Sequence, residues 1–261
     1  MSTKLPRWLI VFCAVIYLFL HIPILVLVIF SFNASKFSVD WVGFTWDWYR
    51  RLLERDDILN GLKVSMIVGV SSMVLSAILG TLIALALARY KFRGRTALEA
   101  FLYVPLVTPE IVVGISLLIL FVLIGFPLGI LTITIAHVAF CISFVVVVVL
   151  ARLQGMDQNL EEAALTLGAD ELTTFWKITV PQLWPGIISG ALLAFTMSFD
   201  DYVITSFVSG TGSSTLPIVV YGMVRKNIEP SINAISTIIL VATAVLIYAA
   251  DRLSRDKPLG H

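Results

Sequence analysis

Charge, cysteine and histidine are all scarce in this 261-residue sequence, and each shortage closes off a class of protein. Charged residues make up 13% of the chain against 59% hydrophobic, too few to cover a soluble globule. Both cysteines, Cys13 and Cys141, lie inside apolar runs, which argues against a disulfide scaffold and makes burial their ordinary role. The histidines His21, His137 and His261 stand apart from one another and from any cysteine at ligand spacing, so the sequence offers no metal site. A net charge of +1 without a basic tract gives no support for nucleic acid as a partner. The apolar runs lack the polar–apolar alternation of a membrane barrel, and lipid cannot satisfy the edges of an open sheet.

What remains is a set of long charge-free runs at residues 8–35, 64–88, 100–109 with 111–123, 128–151, 178–199 and 232–250. Glu110 interrupts the third run, and Asp200 closes the fifth, whose helix is expected to continue to Phe207. Each run supplies the ~20 residues that a helix needs to cross a ~30 Å hydrocarbon core. The predicted class is therefore an all-α, polytopic membrane protein with six transmembrane helices. Lys and Arg set its orientation. With both termini in the cytoplasm, eleven of them fall inside and seven outside, and the cluster Arg89, Lys91, Arg93 and Arg95 is the strongest local vote. Lys4 and Arg7 ahead of the first run resemble the start of a signal peptide, with residues 31–35 as its exit. The run is longer than a usual signal core, and the reading adopted is a retained helix.

Between the first two runs, Trp41, Phe44, Trp46, Trp48 and Tyr49 crowd an outside segment. Two readings fit them. Aromatic rings at this level anchor helices among lipid headgroups, and a ring face also receives a cation. Anchoring is the general expectation, with Trp48 singled out as the candidate to meet a solute.

The acids inside the runs point further. Glu110 follows Pro105 and Pro109, each of which removes a helical hydrogen bond and frees a carbonyl, so a broken helix beside a carboxylate is expected. Asp200 and Asp201 fall about 22 Å along the fifth helix, toward the outer half of the membrane. Ser198, Asp201 and Thr205 share one stripe, while Asp200 points about 100° away. An ionised carboxylate at membrane depth costs several kcal/mol unless hydrated or paired. No Lys or Arg lies in any run to pair with these acids. A wet route for a cationic solute, with the acids as successive counterions, accounts for them better than capping or interhelical bonding, which stays as the alternative. An intramembrane aspartyl hydrolase is disfavoured, because adjacent acids on one helix diverge instead of facing each other. An ion-coupled secondary transporter would also use such acids, but would leave the polar segment between the fourth and fifth runs without a purpose.

That segment, Glu161-Glu162-Ala163-Ala164-Leu165-Thr166-Leu167-Gly168, reads as two short helices. Asp157 is placed to cap the first, Gly168 to end it in a left-handed turn, and Asp170 to cap the second. Leu160, Ala164 and Leu167 share an apolar face flanked by carboxylates, a shape suited to a groove on a soluble partner. The spacing Glu-Ala-Ala, three residues, Gly, nine residues, Ile, one residue, Val180 and Pro181 resembles the EAA loop of ABC importer permeases; Val180 stands where Leu is usual. The resemblance implies that Glu162, Ala163, Ala164, Gly168, Glu171 and Pro181 couple the chain to an ATP-binding subunit.

Further segments narrow the resemblance. Ser31-Phe32-Asn33, Trp48-Tyr49, residues 90–94, Pro109-Glu110-Ile111, residues 195–201 and residues 206–210 are similar to the PotC-type branch of spermidine/putrescine permeases, in which Asp is common where Glu110 stands here. This implies a type I ABC importer permease fold. Residues 1–60 would form an N-terminal helix and periplasmic segment, 61–251 the permease domain and 252–261 a cytoplasmic tail. It further implies an inner-membrane complex containing a second, different permease subunit, cytoplasmic ATP-binding subunits that hold the ATP and magnesium, and a periplasmic polyamine-binding protein. The chain itself would need no cofactor and break no bonds. Its solute pathway would include Trp48, Glu110, Ser198, Asp200 and Asp201.

Overall fold

The computed structural model describes residues 6–36, 40–157, 159–226 and 230–255. Among these, every regular element is helical: α1 Arg7–Phe30, α2 Asp47–Leu53, α3 Asp56–Arg89, α4 Arg95–Val107, α5 Glu110–Leu123, α6 Ile130–Gln154, α7 Asn159–Thr166, α8 Glu171–Thr174, α9 Val180–Asp200, α10 Val203–Val208, α11 Leu216–Lys226 and α12 Pro230–Arg255. Among the described residues, four helical stretches are long and apolar enough to cross a membrane: Trp8–Phe30, Asp56–Arg89, Ile130–Gln154 and Glu171–Asp200. The pair α4 and α5, bent by 114° at Thr108–Pro109, where Pro109 cannot continue the ladder, has the form of a broken span or a re-entrant loop. The sixth expected run lies in α12, whose apolar part, Pro230–Val245, is shorter. Most of the expected tail, from residue 256, lies outside the described residues, as do Lys4 and His261.

The chain divides into two compact units, Met1–Leu59 with Val220–Tyr248, and Asn60–Val219 with Ala249–His261. The first break falls next to the expected boundary at residue 60. Most of α12 belongs with the N-terminal unit rather than with the second.

In the first unit α1 is apolar on every side and buries none of its span, so its surface suits lipid or another subunit. A knot of hydrogen bonds organises the segment that follows. Asn33, fully buried, donates from Nδ2 to the Asp40 carbonyl (2.7 Å) and accepts the Val42 N–H at Oδ1 (3.0 Å). Its own carbonyl accepts the Trp48 indole N–H at 2.7 Å, and Ser31 Oγ lies 2.6 Å from the Tyr49 hydroxyl. Phe32 packs against Phe44, Trp46 and Tyr49, with ring centroids 4.8–5.2 Å apart. Ser31-Phe32-Asn33 and Trp48-Tyr49, distant in sequence, are therefore the two halves of one joint.

The second unit is built around α6. It runs antiparallel to α9 in steady register: His137 meets Ser198, Cys141 the Ala194 carbonyl, Val145 faces Gly190, and Arg152 donates to the Gln182 carbonyl at 3.0 Å. Val145 is held between two glycines. A Cβ on Gly80 of α3 would come within 2.7 Å of it, and one on Gly190 within 3.2 Å. Close helix approach through small residues is the usual means of packing where lipid is as apolar as the side chains.

Candidate functional site

The N-terminal end of α9 differs from the expected pair of separate short helices. The first is as read: Asp157 Oδ1 accepts the Asn159 N–H at 3.0 Å, and α7 ends at Gly168 with φ +90°. The Ala169 N–H reaches back to the Ala164 carbonyl and the Gly168 N–H to that of Leu165, both at 3.0 Å. This is the paired closure that needs a left-handed residue and so favours glycine. The second is not a separate helix. From Asp170, which sits extended at its N-cap, α8 passes through a π-helical turn, Phe175–Thr179, directly into α9, giving one helix from Glu171 to Asp200. Pro181 lacks the N–H that would bind the Lys177 carbonyl, and the wider π turn just before it accommodates the missing bond. Asp170 makes no direct cap bond, yet the Thr173 hydroxyl draws its carboxyl below the ordinary carboxylate range.

Glu161, a residue the sequence reading gave no role, ties this end together. It pairs with Arg89 at the end of α3 and accepts the Thr179 hydroxyl at 2.6 Å. Glu162, Ala163, Gly168, Glu171 and Pro181 are exposed, and Ala164 is half-buried. Beside them Leu160, Leu167, Leu172 and Trp176 are also exposed, Leu167 at 89%. A cavity of about 790 Å³ opens next to α7, lined by Arg89, Arg95, Glu99, Leu150, Glu161 and Leu165 among others, and it includes none of the expected pathway acids.

At the C-terminal end of α9 the fifth run does not continue helically to Phe207. α9 stops at Asp200, Asp201 is extended (φ −68°, ψ 123°), and α10 begins at Val203. Asp201 caps that second start: its carboxylate accepts the Thr205 N–H at 2.7 Å and the Ile204 N–H at 3.3 Å. The Thr205 hydroxyl donates to Asp201 Oδ2 at 2.7 Å. His137, read in the sequence as isolated, closes the group. Its Nδ1 lies 2.6 Å from Ser198 Oγ, and its Nε2 lies 2.9 Å from Thr205 Oγ1 and 3.2 Å from Asp201 Oδ2. With the Thr205 proton committed to Asp201, a neutral imidazole donating from Nε2 and accepting Ser198 at Nδ1 satisfies every partner.

The two neighbouring acids therefore separate. Asp201, expected as an open counterion without a partner, has only 6% of its side chain exposed and is enclosed by His137, Thr205 and backbone amides. Ser198 is buried against the same ring. Asp200 is exposed and bonds to no other described side chain. Glu110, also exposed, opens α5 directly after the break. α5 and α10 pack together: a Cβ on Gly114 would come within 2.6 Å of the Phe207 ring, and beyond both helices the Leu128 carbonyl leaves no space for a side chain at Gly210. They thus run side by side in the same sense, with Glu110 at the start of one and Asp201 just ahead of the other.

Trp48 also departs from expectation. It is 8% exposed, its N–H is used by Asn33, and the Arg51 guanidinium sits 5.1 Å from its ring centre. The exposed aromatics are Trp41, Phe44 and Trp46. Among the described residues no group of His, Cys, Asp and Glu is arranged to hold a metal ion.

Acids thus stand at two helix breaks, and at the opposite end of α9 a polar hairpin exposes apolar side chains. Residues 76–255 match the family described as binding-protein-dependent transport system inner membrane component, and the chain belongs to it. It is 42% identical over 250 residues to the spermidine/putrescine transport system permease protein PotC of Escherichia coli K12, covering 96% of this chain and 95% of that protein. To the putrescine transport system permease protein PotI of the same strain it is 44% identical over 250 residues, covering 93% and 89%. In fold it is similar to a chain of a bacterial alginate ABC transporter, solved with an alginate-bound periplasmic protein, with a TM-score of 0.74 at 15% identity over 95% of this chain and 93% of that one.

Proposed function

We propose that this chain is one permease subunit of an ATP-driven importer of polyamines, forming half of the route through the inner membrane. The observation that carries the reading is the near full-length identity above 40% to two polyamine permeases. The exposed Asp200 and Glu110 support it: each offers a carboxylate at a helix break to a linear polycation passing along the subunit surface. Such acids serve a pathway when they bind weakly enough to release, as hydrated carboxylates do.

ATP and magnesium belong to the cytoplasmic ATP-binding subunits, which dock on α7 and α8. The exposed apolar ridge of Leu160, Leu167 and Leu172 supports that contact. A second, different permease completes the pore, a periplasmic binding protein delivers the solute, and lipid covers the remaining apolar faces. Both termini lie in the cytoplasm, as the Arg89–Arg95 cluster indicates.

The test is uptake of labelled putrescine and spermidine by cells carrying the whole reconstituted operon, competed with an amino acid and an inorganic cation. Polyamines alone should compete. Absence of labelled polyamine uptake, or competition by the amino acid or inorganic cation as strong as by unlabelled polyamine, would overturn the reading. Transport by the purified chain without ATP-binding subunits would instead favour an ion-coupled carrier.

A further inference from the structure

Among the described residues of the second unit, His137 is the largest polar side chain buried completely, yet the transport reading gives it no task. It lies on α6, while everything it bonds to lies on the far side of the packing seam: Ser198 on α9, Asp201 in the break and Thr205 on α10. One ring therefore spans both sides of the only interruption between α9 and α10. The residues around that interruption, Phe199-Asp200-Asp201-Tyr202, include neither proline nor glycine, so nothing in the backbone chemistry alone requires a break there. A helix of six residues does not sustain itself; α10 depends on the Asp201 cap and on packing. The cap in turn depends on the orientation of the Asp201 carboxylate, which is fixed by His137 and Thr205.

We propose that His137 is a positioning residue of the solute pathway: by clamping Asp201 and Thr205 across the α9–α10 break, it fixes the direction in which Asp200 is presented. The assignment of a pathway role to Asp200 rests on the polyamine-permease reading above. Asp200 and Asp201 share a peptide unit, so turning one carboxylate inward toward His137 commits the other to the opposite side. Asp201 is thus an internal strut, and Asp200 is the acid that solute meets. Removing the imidazole lets the break relax, either by extending α9 through Asp201 or by unwinding α10, and both changes re-aim Asp200.

Two measurements on the complete transporter test this. The first is a double-mutant cycle of His137→Phe, which keeps an aromatic ring of similar bulk, with Asp200→Asn, read as putrescine uptake per molecule of membrane-inserted complex. Each single change should lower uptake about fivefold, and the pair should be no more than about twofold worse than Asp200→Asn alone, because both remove the same presented charge. Losses that multiply would overturn the proposal. The second does not depend on the cargo. In a chain with Cys13 and Cys141 replaced by Ser, a single cysteine at position 200 is labelled with a membrane-impermeant methanethiosulfonate. Its labelling rate should change at least about threefold on adding His137→Phe. Thr205→Val, which removes one bond of the clamp and preserves shape, should move the rate in the same direction and serves where His137→Phe fails to insert. An unchanged rate would overturn the proposal. If wild-type complex carries no polyamine, the functional reading falls, and the labelling still decides the role of His137.

Discussion

The two ends of α9 are built on opposite principles. At the N-terminal end the polar side chains Arg89, Glu161 and Thr179 bond to one another, while Leu167, Leu172 and Trp176 stay in the open. At the C-terminal end His137, Ser198, Asp201 and Thr205 are enclosed, and the exposed group is a charge, Asp200. An exposed apolar ridge gains free energy from a protein partner that covers it. An exposed carboxylate gains from a cation, and only while that cation is present. The difference matches a durable contact at one end and a transient one at the other.

The sharpest way to break this contrast is at Gly168, where φ is +90°. Gly168→Ile should distort the turn joining α7 to α8 and lower uptake roughly tenfold or more. Membrane insertion should persist, with the ATP-binding subunits lost on gentle purification or hydrolysing ATP without transport. Normal uptake would remove the hairpin as the coupling element.

Next in size is Asp200→Asn, which should cut polyamine uptake about fivefold with abundance unchanged, as expected for a charge that only solute uses. Glu110→Gln should act similarly and Glu110→Asp mildly. Wild-type uptake in Asp200→Asn would return that acid to an architectural role.

Asp201→Asn tests the same end from inside. It keeps shape but weakens the cap and the His137 clamp, and interhelical hydrogen bonds in membranes are worth about 1 kcal/mol each. The expected result is a lower melting temperature of the detergent-purified complex, with a modest loss of uptake. A larger uptake defect than Asp200→Asn, at unchanged stability, would invert the assignment of the two acids.

The smallest effect is predicted for the aromatic segment. Trp48→Leu removes a buried ring, its bond to Asn33 and the contact with Arg51, so abundance should fall while uptake per molecule holds. Trp41→Leu, at an exposed position, should change abundance less. Uptake per molecule that drops specifically in Trp48→Leu would restore a solute contact there.

The apolar runs disclosed most of the helices because each is continuous and of membrane length, and Pro109 marked the bend in the third. The break after Asp200 carries no such mark: its cause is a carboxylate capping the next turn, which requires knowing what lies across from it. His137 escaped for the same reason, since its partners begin 61 residues away and a lone histidine in an apolar run has no local signature. One signal was available. The stripe Ser198, Asp201 and Thr205 required a buried partner, and the fourth run holds a histidine. Trp48 is ambiguous in the sequence because a ring that anchors, a ring that binds and a ring that packs are the same letters; its burial and its bond to the Asn33 carbonyl favour packing. Nothing in the letters around Pro181 announces the π turn by which the short helix capped at Asp170 runs on into the fifth span.

That π turn has a mechanical consequence. Glu171 to Asp200 is a single rod of 30 residues, about 45 Å at 1.5 Å per residue. A rod of this kind resists shortening, so movement applied near Trp176 reaches the far tip as tilt or rotation rather than being absorbed between them. Because a π turn holds one residue more than an α turn, deleting one residue from Phe175–Thr179 would let it close as an ordinary turn with the two ends of the rod nearly in phase, whereas a deletion elsewhere in the rod would rotate them apart by roughly 100°.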